Sequence, residues 1–338
     1  MKKYLKVLVL IGLVSFSSQA QGLEDIFNAK DDASKYVENY MAPAMNGLMY
    51  NLNNAWYTTG KVHEKFGFDL TISLAVAKIP DSEKTFHFDP ADYHYLTLQG
   101  GGTAELPTFA GGDTDEVIDA TYEGDTAHFD AVDGVGEEWP EELIIPVSIP
   151  TPMVQIGLGL PSKTDVKLRF YPKSTTEGVE YSLFGLGLQH DLTQYFKVID
   201  SIPGLTISAL GAFTKANVAV AYEAEADVDS KLEMGINAYT VQLIGDYNLK
   251  FINFYLGTGY SGGATSLDVK GEYEYDSNEN GTIEEDEIVK DPVSLDFAVA
   301  GFKTTIGTRF NLGPVKVFGD YTIQKYPAVT LGLALSIK

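Results

Sequence analysis

The chain has 338 residues, 47 acidic against 24 basic, no cysteine and a formal net charge of −23. That balance excludes nucleic-acid binding, which needs clustered Lys and Arg to displace counterions from a polyanion, and the missing cysteines exclude a disulfide framework and thiol chemistry. Glycine (33) and tyrosine (20) are plentiful and the hydropathy is near neutral, as when apolar residues are dispersed singly along strands.

In chain order, Lys2 and Lys3, the apolar run Val7 to Val14 and then Ser18-Gln19-Ala20 read as an export signal over residues 1–20, so the mature chain is expected to start at Gln21. No later apolar run approaches the roughly 18 residues that a spanning helix needs. From Leu23 to Leu48, the positions Ile26, Ala33, Val37, Tyr40, Met41, Ala44 and Leu48 recur at helical spacing and predict a short amphipathic helix interrupted near Pro43. Met49 to Lys61, rich in Asn and carrying Trp56 and Tyr57, has neither helical nor strand periodicity and suits a compact plug.

From residue 62 to 338 the pattern has a period of two. The first run sets Phe66, Phe68, Leu70, Ile72, Leu74 and Val76 on one face against Gly67, Asp69, Thr71, Ser73 and Ala75 on the other. Comparable runs surround Ile156, Leu168, Leu186, Val241 and Ile306, and the last ends at Ile337. Their length suits the roughly 9 to 11 residues of a tilted membrane strand better than the five or six of a soluble one. Tyr and Phe recur near run ends, as interfacial girdles do. The expected fold class is therefore all-β, a transmembrane antiparallel barrel of 12 to 16 strands by this count of runs, with an N-terminal helix and plug over 21–61. A soluble sandwich is the alternative. The acid concentrates from Asp113 to Glu142 and from Glu272 to Asp291, read as long external loops at about 80–143 and 270–292. Such loops either dock other proteins or simply keep a surface soluble.

Three groups of residues invite chemistry. Asp276 to Glu287 fits the twelve-residue calcium-loop pattern D-x-[DN]-x-[DN]-G-x5-E. Asp276, Asn278 and Asn280 would give side-chain oxygens, Thr282 a carbonyl, Glu284 a direct or water-mediated contact and Glu287 two oxygens to Ca2+. Gly271 to Tyr275 ahead of it reads as a strand, so an acidic surface hairpin is the other reading. Arg169 and Arg309, the only arginines, fall on the polar phase of their runs, where they would face the lumen and pair with Asp69, Asp246 or Asp320, or hold a ligand carboxylate. The five histidines show no metal spacing, and no G-x-S-x-G elbow or phosphate loop is present. His190 with Ser182 is the only pair to suggest a hydrolase, and His190-Asp191 at a strand end suits a turn better, so no enzyme is expected.

Gly47-Leu48-Met49-Tyr50-Asn51-Leu52-Asn53-Asn54-Ala55-Trp56-Tyr57, Glu105-Leu106-Pro107-Thr108-Phe109, Pro152-Met153-Val154-Gln155-Ile156-Gly157-Leu158-Gly159 and Gly185-Leu186-Gly187-Leu188-Gln189-His190-Asp191-Leu192 together resemble an uncharacterised family of Bacteroidota outer-membrane proteins. That family is similar in layout to FadL-type transporters of hydrophobic compounds. The resemblance implies a 14-stranded barrel in the outer membrane, residues 23–61 as a hatch inside it, and sideways release of a greasy ligand through a gap in the wall. Asn53-Asn54-Ala55 stands where such hatches carry Asn-Pro-Ala, and Lys338 stands where many such chains end in Phe. The expected function is passive passage of a small, fatty-acid-like hydrophobic molecule, with a non-transporting scaffold or secretion-partner barrel as the alternative. The expected partners are outer-membrane lipid, that hydrophobic ligand and, during biogenesis, the barrel-assembly machinery.

Overall fold

The computed structural model describes residues 30–122, 125–136, 148–176, 178–221, 231–274, 288–291 and 293–337. The chain begins there with helix α1 (Lys30–Leu52) and rises into strand β1 (Phe68–Lys78). Five short strands follow: β2 (Thr85–Phe88), β3 (Leu96–Leu98), β4 (Ala104–Pro107), β5 (Val117–Tyr122) and β6 (Asp125–Asp130). Then come β7 (Ser148–Leu160), β8 (Thr164–Thr176), β9 (Val179–Asp191), β10 (Leu205–Ala221), β11 (Lys231–Asn248) and β12 (Ile252–Lys270). A small hairpin of β13 (Glu272–Glu274) and β14 (Ile288–Lys290) precedes β15 (Val293–Leu312), β16 (Val315–Ile323) and β17 (Ala328–Ile337).

Ten of these strands close into an antiparallel barrel in the order β1-β17-β16-β15-β12-β11-β10-β9-β8-β7. Ten replaces the expected 14. The overcount has a physical origin, because hydrophobic alternation changes phase part-way along the longest strands. In β15 the outward residues Phe302, Ile306 and Phe310 are apolar while Lys303 and Thr305 are buried inside. Ten residues earlier on the same strand, Val293, Leu295 and Phe297 point in and Ser294 and Asp296 point out. β11 and β12 behave alike, with Tyr239, Val241, Phe254 and Leu256 exposed near one end, and Ile236 and Leu267 packed inside near the other. One strand of 18 to 20 residues therefore reads in sequence as two runs.

The two ends of the barrel differ. At one end β7 and β8, β11 and β12, and β15 and β16 are joined by tight reversals in which Ser162, Lys163, Lys250 and Gly313 adopt left-handed backbone. The other end carries the long connections, including residues 79–147. There β2 pairs with β4, and β3, β5 and β6 form a second small sheet, so much of the expected external loop is a folded cap with its own apolar centre around Phe88, Leu96, Leu106 and Ile118. No helix among the described residues is long and apolar enough to cross a membrane, which says nothing of a barrel.

α1 runs unbroken through Pro43 to Leu52, two corrections to a helix expected to be interrupted there and to stop at Leu48. Pro43 removes one intrahelical bond, but Tyr40, Met41, Ala44, Met45, Met49 and Tyr50 are buried around the whole circumference, and that packing outweighs local propensity. At the start of α1, the Asp32 carboxylate accepts from the backbone N–H groups of His94 (2.8 Å), Tyr95 (2.6 Å) and Leu96 (3.3 Å), fastening the helix to the cap. Asp32→Ala strands those donors at a cost of about 2–4 kcal/mol. Limited proteolysis is expected to cut between residues 81 and 136 in that variant and not in the parent, and equal resistance would contradict the assignment.

Candidate functional site

The lumen is occupied along its length by the chain's own residues 44–63. Near the cap, a Cβ on Gly47 would overlap Ile149 of β7, and the Tyr50 ring stacks on Tyr326, 5.2 Å between centroids, in the connection between β16 and β17. The Tyr326 hydroxyl donates to Glu83, and burial together with that carboxylate holds its pKa above the usual tyrosine range. On the outer rim the hydrogen bonds and charges of Lys84 and Lys78 hold the Asp81 carboxyl below its ordinary value. One turn further in, the Asn51 amide donates to the Ile149 carbonyl and to the Thr151 hydroxyl (3.1 Å), and Asn53 donates to the carbonyls of Met49 (3.2 Å) and Gly262 (3.0 Å).

At mid-height α1 has ended, and the carbonyls of its last turn and of the residues just past it need donors. Arg169 of β8, 1% exposed, supplies them: Nη1 donates to Leu52 O at 3.0 Å and Nη2 to Asn54 O at 2.7 Å. Its Nε donates to Gln155 Oε1 at 3.1 Å, and its guanidinium carbon lies 3.8 Å from the centroid of the Trp56 ring. From the facing wall the Lys303 ammonium donates to Asn53 O (2.9 Å) and Asn54 Oδ1 (2.6 Å). The indole needs room, and Gly185 and Gly187 provide it, since a Cβ on either would sit 3.0 Å from the ring. Lower still, Tyr57 donates to Gln242 (3.1 Å), Arg309 to the Thr58 hydroxyl (3.1 Å), Thr59 to Asp246 (2.9 Å) and Gln189 to the Thr59 carbonyl (3.0 Å). His63 ends the segment with its backbone N–H and Nδ1 each 2.9 Å from Asp165.

All five residues expected in the lumen face it, but in other partnerships. Among the described residues neither arginine forms an ion pair with Asp69, Asp246 or Asp320. Both instead donate to the segment filling the lumen. Asp246 accepts from Thr59 and Asn253, Asp320 from the Tyr255 hydroxyl (2.9 Å), and Asp69 from Thr71 (3.4 Å). The reason is competition: the plug brings the Leu52 and Asn54 carbonyls to Arg169 and the Thr58 hydroxyl to Arg309, closer than any wall carboxylate. Lys303 and His63 escaped the sequence reading, although Lys303 sits on the polar phase of its run as plainly as Arg309 does.

Asp276, Asn278, Asn280, Thr282, Glu284 and Glu287 lie outside the described residues. The β13–β14 hairpin flanks them, and the described residues include no group of three or more acidic or histidine side chains placed for a metal ion. His190 and Ser182 sit eight residues apart on β9, roughly 26 Å at strand rise. His190 contacts Thr164 (2.8 Å) and Tyr195 (3.0 Å) instead, and Ser182 contacts Asn217.

Two features of the wall complete the site. Below the plug, at the tight-turn end, is a cavity of about 560 Å³ lined among others by His63, Asp69, Lys167 and Arg309. Between β7 and β8 the ladder runs only from Leu160/Thr164 to Gln155/Arg169, and above that point each strand pairs only with its other neighbour. Pro150 and Pro152 on β7 and Pro172 on β8 fall in this unpaired stretch, in keeping with proline's confinement to strand edges.

A family model described as a family of unknown function (DUF6588) matches residues 1–337. No curated protein matches. Among solved structures, the chain is similar to Ail, the attachment invasion locus protein of Yersinia pestis, at 9% identity and a TM-score of 0.27, covering 81% of this chain and 100% of that one. It is also similar to the outer membrane protease OmpT of Escherichia coli, at 9% identity and a TM-score of 0.30 over 81% of this chain and 99% of that one. A porin of Rhodopseudomonas blastica is similar at 11% identity and a TM-score of 0.19, over 81% and 99% of the two chains.

Proposed function

The chain belongs to the DUF6588 family of unknown function, and we propose that it is an outer-membrane barrel kept closed by its own N-terminal segment, serving as a scaffold that presents the cap on the cell surface. The observation that carries this reading is the occupied lumen. From Asn51 to His63 the plug is hydrogen-bonded to strands on every side, mostly through buried groups. Placement in a membrane rests on the belt of exposed apolar residues around the barrel, Leu70, Ile72, Leu168, Leu186, Val241, Leu256, Ile306 and Leu333 among them. The belt faces polar lumen residues and stops where the alternation changes phase, so the polar outer surface beyond it belongs in water. With acidic residues such as Asp113, Asp115 and Glu116 on the cap side, the docked partner is a protein with a basic face.

A second reading has one observation in its favour. The unpaired stretch between β7 and β8 opens the upper wall toward the bilayer beside Asn51 and Arg169, which would let a small apolar molecule pass sideways between loops and lipid. The two readings separate in one preparation. Extracted gently and reconstituted in planar bilayers, the protein is expected to be silent, and native mass spectrometry is expected to find no hydrophobic ligand in the barrel. Ionic steps from the unmodified protein would overturn the closed scaffold, and a reproducibly bound fatty acid would replace it with sideways passage.

A further inference from the structure

We propose that the cavity at the tight-turn end is a binding site for a small oxyanion, a carboxylate or phosphate, gripped between Lys167 and Arg309. The chain as a whole is strongly acidic, yet five cationic side chains and three carboxylates line this cavity. Lys167 is the key observation. It points inward from β8, is only 5% exposed and lines the cavity, and among the described residues its ammonium makes neither a hydrogen bond nor an ion pair. Asp165, the carboxylate that feels its charge, is itself held by His63, so the ammonium keeps its donors turned to the cavity for an anion that arrives from solution.

Arg309 answers it from the other wall. β8 and β15 are five places apart in a ring of ten, so the two side chains face each other across the mouth. Arg309 donates to Thr58 and Asn311, and although Asp69 and Asp246 lie near enough to feel its charge neither reaches ion-pair distance, which leaves guanidinium donors for an anionic group in the cavity. The three carboxylates do not supply the missing anion. Asp165 is engaged by His63 at 2.9 Å, Asp69 lies 3.9 Å from His63 Nε2 and accepts from Thr71, and Glu64 forms no ion pair with either cation. Gly157 stands between Asp69 and Lys167 in the strand register, and the Asp69 carboxylate and the His63 ring lie over it, where a Cβ would overlap Asp69 Oδ1. Lys61 and Lys250 add positive charge around the same cavity. A volume of about 560 Å³ holds a solute of a few carboxylate or phosphate groups, not a macromolecule.

The test is calorimetric titration of the full mature protein in non-ionic detergent at fixed ionic strength, with inorganic phosphate in one arm and citrate in the other. Saturable binding of one anion per barrel is expected in at least one arm, and the arm that responds names the class. Lys167→Met and Arg309→Gln should each weaken it about tenfold or more, the loss of one charge-assisted hydrogen bond. Lys325→Met at the opposite end should leave it unchanged. Heat-modifiable gel migration checks each variant for folding, and Lys61→Gln, on the exposed end of the plug, serves as a milder variant expected to weaken binding in the same sense. Absence of saturable binding in both arms, or binding that survives these substitutions in folded protein, overturns the site.

Discussion

Arg169→Met is expected to destabilise the barrel by about 3–5 kcal/mol, seen as a lower urea midpoint for loss of the compact gel band with the slope unchanged. The estimate follows from what the substitution leaves behind. Methionine fills much of the same volume, so the effect is one of polarity: the Leu52 and Asn54 carbonyls, at and just past the end of α1, lose their buried donors. Each stranded buried acceptor costs about 1–3 kcal/mol. Arg169→Lys should recover only part of the loss, because one ammonium cannot span both carbonyls and Gln155 as the planar fork does. In the Met variant, residues 53–63 should also become open to protease from the tight-turn end. Wild-type stability in this variant would mean that the plug is held by packing alone.

Trp56→Ala is expected to cost about as much, 3–5 kcal/mol, for a different reason. The indole is buried against Gly185 and Gly187, so truncation leaves a void that the glycine face of the wall cannot fill. The two substitutions should not be independent. The guanidinium rests on the ring, and a double-mutant cycle should return a coupling of about 1–2 kcal/mol from that contact. Additive effects would show that ring and guanidinium act separately.

How much of this was legible beforehand follows from where sequence patterns are local. The alternation of Leu70, Ile72 and Leu74 with Asp69, Thr71 and Ser73 is a property of one strand in a two-faced wall, and β1 carries it as read. The inward aim of Arg169 and Arg309 followed from the same phase. Their partners could not, because Leu52, Asn54 and Thr58 reach them across more than a hundred residues of chain. The strand count failed where the apolar residues exchange faces within β11, β12 and β15, a change set by what surrounds the barrel at each height. The cap between β1 and β7 was taken for loop because its strands run only three to six residues, too short for periodicity to register. The unpaired stretch of β7 was written in Ile149-Pro150-Thr151-Pro152, where alternate prolines withhold donors from a single edge.

α1 points its first residues at the cap and its last at the tight turns, after which the chain doubles back at 64–67 and climbs as β1. Because β1 and β17, the first and last staves, are the pair that completes the ring, and only the turn at 64–67 separates the occupant from β1, the stopper is tied to one side of the seam. Arg169 stands on the third stave and Lys303 on the eighth, and both hold it. A stopper so tethered cannot be lost from its cask without breaking the chain.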